Sequence, residues 1–411
     1  MFARGRRVWT RPVLGVLVAA AVLHLPGGAS TASAGLPDQC YHAVDGVDRS
    51  GLTAAPRSAD RALVSAVRRS GGMVGPRVEP VGLRQVVWPS RAMRDAGLAA
   101  LRRVPGVQFA EPEHKGSLHR STNDPKLRDQ WGLDKIGARR AWDIETGLQK
   151  DVTIAVLDTG VDFRHPDLAG RVLPGPNISG GNDDSQDDHM HGTHVAGIAA
   201  ASTNNRMGVA GVSWGAKVLA VKVMDKHGSG TSCDVAVGII EAAKREADVI
   251  NLSLGFAHTC PLAFRAAVAY ADHQGALVVA SSGNSGFFAS PQSAPANCTG
   301  VLGVGATDHH DDLTAFTTFG LSVDVSAPGE DILSTYLDVK KNKRGYAAFS
   351  GTSMSAPFVA GLAALLIAKH PDWTPTQVSD RIIATVDDLG PPGRDDYYGA
   401  GRINAAKALA G

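Results

Sequence analysis

The chain has few cysteines and little net charge, and beyond its first 34 residues we expect no stretch to span a membrane. Four cysteines in 411 residues allow two disulfides at most. The basic residues are scattered rather than clustered, which excludes a nucleic-acid-binding surface, and the chain has no internal repeat or low-complexity tract. The whole chain is 44% apolar and 20% charged, with a net charge of +1. This composition is typical of a globular protein with two or three domains and a sizeable core.

The N-terminus has the pattern of an export signal. Four arginines precede the apolar run Val13–Leu25, and Ala32-Ser33-Ala34 form a small-residue cleavage pattern before Gly35. The apolar run is too short for a membrane anchor. We therefore expect residues 1–34 to be removed and the mature chain to be secreted, extracellular and free of the membrane. The pair Arg6-Arg7 leaves twin-arginine export open beside the general route.

Charge and composition divide the rest of the chain into two parts. Residues 35–119 hold 12 Lys/Arg against 8 Asp/Glu, whereas residues 120–411 hold 25 against 32, so the two net charges are complementary. Residues 35–60 are expected to be loose, residues 61–112 to form a small α/β unit, and Lys115–Asn123 to form an exposed, cleavable linker. The small unit has two predicted helices, Arg61–Arg69 and Arg91–Val104, and two predicted strands, Val81–Trp88 and Val107–Ala110.

From Asp124 onward, strand-like and helix-like segments alternate. This alternation predicts a three-layer α/β domain, in which a mostly parallel, twisted sheet is covered by helices on both faces. The predicted strands are Val152–Leu157, Lys217–Val223, Asp248–Ser253, Ala276–Ser281, Val301–Ala306 and Ser322–Ser326. The predicted helices are Gly192–Ser202, Cys233–Arg245, Leu262–His273, Met354–His370, Thr374–Thr385 and Ile403–Ala410.

Cysteines in an exported chain are disulfide candidates. Cys260 and Cys298 flank the apolar strand Ala276–Ala280, which favours a bridge between them, although position alone does not prove the pairing. Cys233 is then an odd thiol that we expect to be buried, and Cys40 precedes the main body.

A serine stands at the start of the most apolar predicted helix. Gly351-Thr352-Ser353 leads into the run Phe358–Ala368. A serine in the first turn of a helix lies beside free backbone N–H groups and the positive end of the helix dipole. Such a serine is usually a helix cap, so a nucleophilic role for Ser353 requires partners elsewhere in the chain.

Those partners lie upstream. Asp158 ends the first predicted strand, at the sheet edge where active sites of open α/β sheets gather, and His191 begins a predicted helix. The order Asp, His, Ser is one of the known orders of a catalytic triad. In this interpretation Ser353 attacks a carbonyl, His191 transfers the proton, and Asp158 orients the imidazole. Asn284 follows another strand at the same edge, and its amide can stabilise the developing oxyanion.

Two other chemistries share parts of this pattern. Asp158-Thr159-Gly160 has the form of an aspartic-protease tripeptide, but that chemistry needs two carboxylates and no second Asp-Thr/Ser-Gly occurs. His189, His191 and His194 are spaced like a zinc site. A zinc hydrolase would leave the segments around Ser353 and Asn284 unexplained.

Together the four segments resemble the subtilase family, the subtilisin-like serine proteases, and within it the thermitase-like branch. The similarity runs from about Asp124 to Ala410. It implies Asp158, His191 and Ser353 as the triad and Asn284 as the oxyanion donor. It also implies two segments that flank an extended peptide substrate, Gly228-Ser229-Gly230 and Ser253-Leu254-Gly255.

The resemblance further implies a structural calcium site around the loop Thr203–Val209. Six oxygen ligands, two of them charged, suit Ca²⁺. A second site within Asp183–Asp188 is weaker, because that stretch departs from the family pattern, and Met190 replaces a residue that is usually glycine. The implied ligands of the first site are the side chains of Asp124, Asp167 and Asn205 and the carbonyls of Ser202, Met207 and Val209.

Residues 61–114 resemble the inhibitory propeptide of the same family. The implied organisation is a leader at 1–34, a propeptide at 35–119 that docks on the acidic catalytic body, and a peptidase domain at 120–411. We expect autocatalytic cleavage within about Gly116–Thr122.

The sequence thus predicts a secreted, monomeric, calcium-stabilised serine endopeptidase with broad protein substrates and its own propeptide as inhibitor. A catalytically silent binding protein with the same fold is one alternative. A narrow processing peptidase is another, but it would need acidic pocket residues, and the loop Phe287–Ser293 contains none.

Overall fold

The structure of the chain, a computed structural model, describes residues 50–79, 81–113, 121–286, 293–320 and 322–410. The chain divides into two units, Met1–Ser117 and Leu118–Gly411. The expected leader, Cys40, most of the linker and nearly all of the loop 287–293 lie outside the described residues.

The first unit contains an antiparallel four-stranded sheet with strand order β2-β3-β1-β4. Leu63 and Val67 of the first helix pack with Trp88, Leu98 and Leu101 into a core of its own, and all five are buried. The elements are β1 (Ser50–Ala54), α1 (Asp60–Arg69), β2 (Met73–Val74), β3 (Leu83–Val87), α2 (Arg91–Leu101) and β4 (Phe109–Pro112).

The expectation that residues 35–60 are loose is wrong for Ser50–Ala54. This strand pairs with both β3 and β4, so it lies in the interior of the sheet. Its small residues hid it from compositional reasoning, because Gly, Ser and Ala have low strand propensity. The helix predicted over Arg91–Val104 ends at Leu101, shortly before Pro105, which cannot continue a helix.

The second unit is built on a seven-stranded parallel sheet, which confirms the predicted fold class. Its strands are β5 (Thr153–Asp158), β6 (Val172–Asn177), β7 (Lys217–Lys222), β8 (Val249–Leu252), β9 (Leu277–Ser281), β10 (Val301–Thr307) and β11 (Val325–Pro328), followed by an antiparallel hairpin of β12 (Ile332–Asp338) and β13 (Lys343–Phe349). Its helices are α3 (Trp131–Lys135), α4 (Ala138–Ala141), α5 (His191–Ala200), α6 (Ser232–Lys244), α7 (Leu262–His273), α8 (Thr352–Lys369), α9 (Pro375–Ala384) and α10 (Ala405–Leu409).

All six predicted strands and all six predicted helices of this unit are present, and all but α7 have shifted ends. Strand β6, the hairpin and the short helices α3 and α4 were not predicted. β6 contains two prolines and a glycine, which mark it as the edge strand that it is. The hairpin strand β13 is only partly buried and begins with charged residues, so it lacks the apolar pattern of a core strand.

Helices cover both faces of the sheet. Helices α5 and α8 pack with one set of buried strand residues, and α6 and α7 pack with the other. Helix α8 has the length and hydropathy of a membrane span, but 78% of that window is buried inside the unit, as expected for a core helix. At Gly361 a side chain would approach the Ala199 carbonyl oxygen to 2.9 Å, so glycine allows α5 and α8 to come close.

Cys260 and Cys298 form a disulfide, with Cα atoms 5.2 Å apart, beside the core that α6 and α7 cover. The expectation that Cys233 is buried is wrong, since this free thiol is exposed. Helix α6 turns Val235 and Ile239 into the core, and the second residue of the helix therefore faces solvent.

Because Leu362 of α8 is completely buried, we predict that Leu362→Ala lowers the free energy of unfolding by about 2–5 kcal/mol through lost burial and a residual cavity. Leu262, which is 79% exposed, provides the matched control, and Leu262→Ala should change stability by less than about 0.5 kcal/mol. Urea denaturation of both variants measures the difference, and equal losses would contradict the assignment of α8 as the core helix.

Candidate active site

The strand order of the parallel sheet reverses at β5. Strands β7 and β6 lie on one side of β5, and β8, β9, β10 and β11 lie on the other, so the chain crosses β5 between β7 and β8. Such a reversal opens a crevice at the carboxyl ends of the strands, where ligands bind in open α/β sheets. Asp158, the last residue of β5, is 2% exposed and lies at this point.

Asp158 is hydrogen-bonded to His191, the first residue of α5. Both carboxylate oxygens lie close to the imidazole Nδ1, at 2.8 Å and 2.9 Å. The backbone N–H of Thr159 donates to the same carboxylate at 2.7 Å. With Nδ1 occupied by Asp158, the other ring nitrogen of His191 is left for a second partner, and the side chain remains 26% exposed.

The electrostatic surroundings stabilise a protonated His191. Burial by itself lowers the pKa of this imidazole, but the charge of Asp158 and its hydrogen bond outweigh burial, and Asp187 adds to them. The net result is a pKa above the ordinary value of 6.5. An imidazole held in this way is a stronger acceptor for a proton.

A buried carboxylate organises the loop that leads into α5. One oxygen of Asp187 accepts from the hydroxyl of Thr159 and from the N–H groups of His189 and Met190, each at 2.9 Å. The other accepts from the N–H and the hydroxyl of Thr193. Through these bonds Asp187 fixes the loop between Thr159 and Thr193.

The backbone on either side of His191 fixes its position. Met190 has φ of 109°, a left-handed conformation that a glycine would adopt without strain. At Gly192 a side chain would come within 2.1 Å of the Gly160 carbonyl oxygen, so only glycine lets α5 begin beside the loop after Asp158.

Ser353 is the second residue of α8 and reaches the same edge of the sheet. Its hydroxyl donates to the Ser253 carbonyl at 3.1 Å, and the Ser253 hydroxyl donates to the Ser353 carbonyl at 2.7 Å. Within the described residues Ser353 makes no hydrogen bond to His191. The structure therefore joins Asp158 to His191 and leaves the serine hydroxyl bonded to the residue after β8.

Asn284 is held against the start of α8. Its Oδ1 accepts from both the N–H and the hydroxyl of Thr352, each at 2.9 Å, so the orientation of the amide is set. Gly351 keeps open the space in front of it, because a side chain there would lie 3.4 Å from Asn284 Nδ2 and 3.8 Å from the Ser353 nitrogen. Two N–H donors thus border one small unfilled space.

Two cavities of about 220 Å³ and 230 Å³ meet along the segment after β8, and both are lined by Leu254 and Gly255. The first contains the Asp–His pair and the second contains Ser353 and Asn284. The loop after β7 borders the first cavity through Gly228, and a hydrogen bond from the N–H of Asp225 to the Ser229 carbonyl at 2.8 Å closes that loop. The other lining residues are Thr159, His189, Met224 and Ser253 in the first cavity, and Ala257, Ser281, Gly283, Ser285, Ser293 and Thr352 in the second.

The three histidines near the site do not form a metal centre. His191 Nδ1 is bonded to Asp158, and His194 Nε2 lies 2.9 Å from the Ala347 carbonyl oxygen. Over the ranges that the structure describes, the one group of three ligand-type side chains that lie close together is Asp308, His309 and Glu330. It includes none of the three, so the geometry gives the zinc hypothesis no support.

The residues named for calcium lie together at the loop after α5. Asp124 is 4% exposed and Asp167 is fully buried. Asp124 accepts from the N–H groups of Asn204 and Asn205, at 2.8 Å and 3.1 Å. The Asp167 carboxylate accepts from the Asn205 amide and the Val209 N–H, at 2.8 Å and 2.9 Å.

The two remaining members of this set are tied to the same groups. The Ser202 N–H donates to the Asp167 carbonyl at 2.7 Å, and the Met207 N–H donates to Asn205 Oδ1 at 2.8 Å. Burial together with the Asp167 and Asp124 carboxylates raises the pKa of Tyr346. Both carboxylates therefore act on the Tyr346 side chain beside this loop.

Comparison with known proteins decides the family. The model of the subtilase family matches residues 149–401. This chain belongs to the subtilase family. It is 43% identical over 317 residues to the thermophilic serine proteinase of Bacillus sp. (strain AK1), covering 77% of this chain and 76% of that protein. It is also 43% identical over 288 residues to thermitase of Thermoactinomyces vulgaris, covering 70% of this chain and 98% of that one.

A solved protease structure from Pseudoalteromonas arctica PAMC 21717 matches with a TM-score of 0.65 and 34% identity, covering 71% of this chain and 99% of the other. These relatives place the chain in the thermitase-like branch. The subtilase is a serine endopeptidase.

Sequence reasoning overlooked two charged residues that build the site. Asp187 appeared only as part of an acidic stretch, although an acid shortly before a helix is a recognisable capping signal. Lys222 appeared only as a member of an apolar strand, where a single charged residue was the available signal.

His194 provides a pH-dependent test of the packing behind the active site. It is fully buried, and burial lowers the pKa of its imidazole to about 4. The unfolded chain binds this proton below about pH 6.5, whereas the folded chain binds it only near pH 4, so stability should fall as the pH is lowered through this window. At about 1.4 kcal/mol per pH unit the total loss approaches 3 kcal/mol.

We predict that His194→Gln removes this part of the pH dependence. Urea denaturation from pH 7 to pH 4, in a Ser353→Ala background that prevents self-digestion, measures the difference between parent and variant. The parent's stability relative to the variant should decrease towards pH 4. A difference that stays constant would contradict the prediction, and His273→Gln on the exposed end of α7 is the matched control.

Proposed function

We propose that this subtilase is a secreted, calcium-stabilised endopeptidase of broad specificity, made as a zymogen and acting through Asp158, His191 and Ser353. The observation that carries the proposal is the Asp158–His191 pair, bonded through both carboxylate oxygens, at the sheet edge where Ser353 begins the core helix. This is the arrangement that acyl transfer to a serine requires.

The proposed reaction begins when the Ser353 hydroxyl turns from the Ser253 carbonyl towards His191. Serine Oγ attacks the peptide carbonyl carbon while His191 accepts its proton on the ring nitrogen not bonded to Asp158. The oxyanion that forms accepts hydrogen bonds from Asn284 Nδ2 and the Ser353 N–H. His191 then donates the proton to the departing amine, and water activated by the same imidazole hydrolyses the acyl-enzyme.

The two segments that border the cavities suit an extended peptide. Gly228-Ser229-Gly230 and Ser253-Leu254-Gly255 would pair with the substrate backbone on either side, which gives affinity without strong side-chain selection. The described lining of the cavity at Ser353 contains no charged residue. This supports a neutral or apolar side chain at the cleavage position over the narrow, basic preference of a processing peptidase.

Calcium is proposed at the loop after α5. Two buried carboxylates converge there, and among the described ion pairs neither Asp124 nor Asp167 has a cationic partner. Buried carboxylates need a counter-charge, and oxygen donors of this kind suit Ca²⁺. The ion would be held by Asp124, Asp167, the Asn205 side chain and the carbonyls of Ser202, Met207 and Val209, and it would stabilise the fold.

The zymogen proposal concerns residues 35–119. The described part of this region has its own sheet and core, and its net charge is opposite to that of the peptidase domain. Both features suit a propeptide that folds, inhibits and is then removed. Residues 1–34 would direct secretion, and the mature enzyme is proposed to be a monomer.

We predict that Ser353→Ala abolishes casein hydrolysis and leaves the secreted chain uncut within Gly116–Thr122, because the nucleophile is needed for both reactions. Casein assays and the mass of the purified chain check the two results. Asn284→Ala should fold normally but cleave its propeptide slowly. Its kcat should be lowered about 10²–10³-fold, a magnitude established on a subtilisin.

A serine-directed phosphonylating inhibitor should label Ser353 and stop all activity, whereas the zinc chelator 1,10-phenanthroline should not. If the purified, folded wild-type chain neither hydrolyses casein nor takes up the inhibitor, the silent binding protein is the better description. Complete processing of Ser353→Ala would instead assign propeptide removal to another protease.

We predict that EGTA lowers the melting temperature of the Ser353→Ala chain by about 10 °C. A ligand at about 1,000 times its Kd adds roughly 4 kcal/mol, and each kcal/mol shifts a domain of this size by about 2–4 °C. Asp167→Asn should already melt lower and respond less to EGTA. Asp372→Asn, at an exposed acid outside both candidate calcium sites, should respond like its parent. An unchanged melting temperature in the parent would rule the site out.

A further inference from the structure

A buried lysine ends the strand next to Asp158. Lys222 is the last residue of β7, pairs in register with Asp158 of β5, and is only 4% exposed. An ammonium group at such a position is costly unless its charge and all its N–H donors are satisfied. The contacts of Lys222 therefore indicate what the residue holds in place.

The ammonium group has three acceptors, which matches its three N–H donors. Nζ lies 2.7 Å from the Thr159 carbonyl oxygen, 2.8 Å from the Met224 carbonyl oxygen and 2.7 Å from Asp188 Oδ1. Each acceptor belongs to a different segment of the active site. Thr159 follows Asp158, Asp188 lies in the loop before His191, and Met224 lines the substrate cavity.

This residue is also a positive charge among carboxylates. Asp158 and Asp187 are buried at the site, and Asp188 pairs with Lys222. In the described chain Asp188 has Lys222 as its ion-pair partner. The groups that face His191 itself are Asp158, Asp187, His189 and His194.

We infer that Lys222 is a positioning residue for catalysis, which clamps the Asp158 turn, the loop before His191 and the Met224 wall of the substrate cavity into one unit. This inference rests on the proposed triad. Lys222 does not touch the reacting atoms. It acts by holding Asp158 and His191 at their present separation and by offsetting the negative charge around them.

The substitution Lys222→Met keeps the length of the side chain and removes its charge and donors. We expect kcat/KM to fall at least about 10-fold, mainly through kcat, because the catalytic pair loses its alignment. Loss of a nearby positive charge also makes the His191 imidazolium more favourable. The acid limb of the kcat/KM profile should therefore move to higher pH, by on the order of half a unit.

Asp188→Asn removes the negative partner, and its acid limb should move in the opposite direction, to lower pH. Lys222→Arg keeps the charge, so its limb should stay near that of the wild type even if the larger group lowers kcat. Lys217→Met is the matched control, because Lys217 begins the same strand, pairs with the exposed Asp151 and lies at the opposite edge of the sheet. It should leave the rate and the profile unchanged.

The experiment uses the full chain of each variant, processed as it is secreted, and counts active sites with the phosphonylating inhibitor. The inference is supported if the acid limbs of Lys222→Met and Asp188→Asn move in opposite directions. A loss of folded protein alone would lower the number of active sites without moving the acid limb of the kcat/KM profile. Lys222→Met that matches Lys217→Met in rate and profile overturns it. If Lys222→Met yields no folded protein, the test depends on Asp188→Asn. An acid limb of Asp188→Asn at the same pH as that of the wild type then overturns the inference.

Absence of inhibitor labelling in the wild type would instead be a failure of the proposed triad. The two failures are therefore distinguishable.

Discussion

The hydrogen-bonded pair of Asp158 and His191 is the interaction on which the rest of this site depends. A carboxylate at 2% exposure is stable only with strong partners, and the bond to the imidazole supplies one of them. The pair requires that the end of β5 and the start of α5 meet closely. Gly192 permits that approach, and the Asp187 hydrogen bonds fix the loop between the two elements.

The same requirement explains why polar groups are concentrated behind the pair. A buried backbone group in the loops around Asp158 lies in a low-dielectric setting and needs a hydrogen-bond partner there. Asp187 satisfies N–H groups of the loop before His191, and Lys222 satisfies carbonyls after β5 and β7. Two oppositely charged side chains, Asp187 and Lys222, thus supply hydrogen bonds to backbone groups of the site. The site is held by these bonds as well as by apolar packing.

Much of the fold could be predicted because its strands and core helices have strong apolar patterns. The helix at Leu262–His273 has the predicted ends, and the other core elements differ by a few residues. Elements without such a pattern were missed, among them Ser50–Ala54, the proline-containing edge strand Val172–Asn177 and the half-exposed hairpin. Their stability comes from pairing with neighbouring strands, which a single segment does not reveal.

The site residues could be named from motifs, but their contacts could not. Sequence reasoning placed Asp158, His191, Asn284 and Ser353 at one edge of the sheet, since strand ends and helix starts determine that edge. It gave no indication that Ser353 and Ser253 exchange hydrogen bonds, or that Thr352 orients Asn284. Those contacts depend on the crossing of α8 over β8 and β9, a long-range arrangement.

The exchange between the two serines separates the position of Ser353 from the direction of its hydroxyl. The bond from the Ser253 hydroxyl to the Ser353 carbonyl ties the first turn of α8 to the end of β8 and does not involve the Ser353 side chain. The Ser353 hydroxyl can therefore leave the Ser253 carbonyl by rotation about one side-chain bond, without any movement of the helix. Because α8 is buried along most of its length, that rotation is the cheapest motion open to the residue, and the backbone N–H beside Asn284 keeps its place while it occurs.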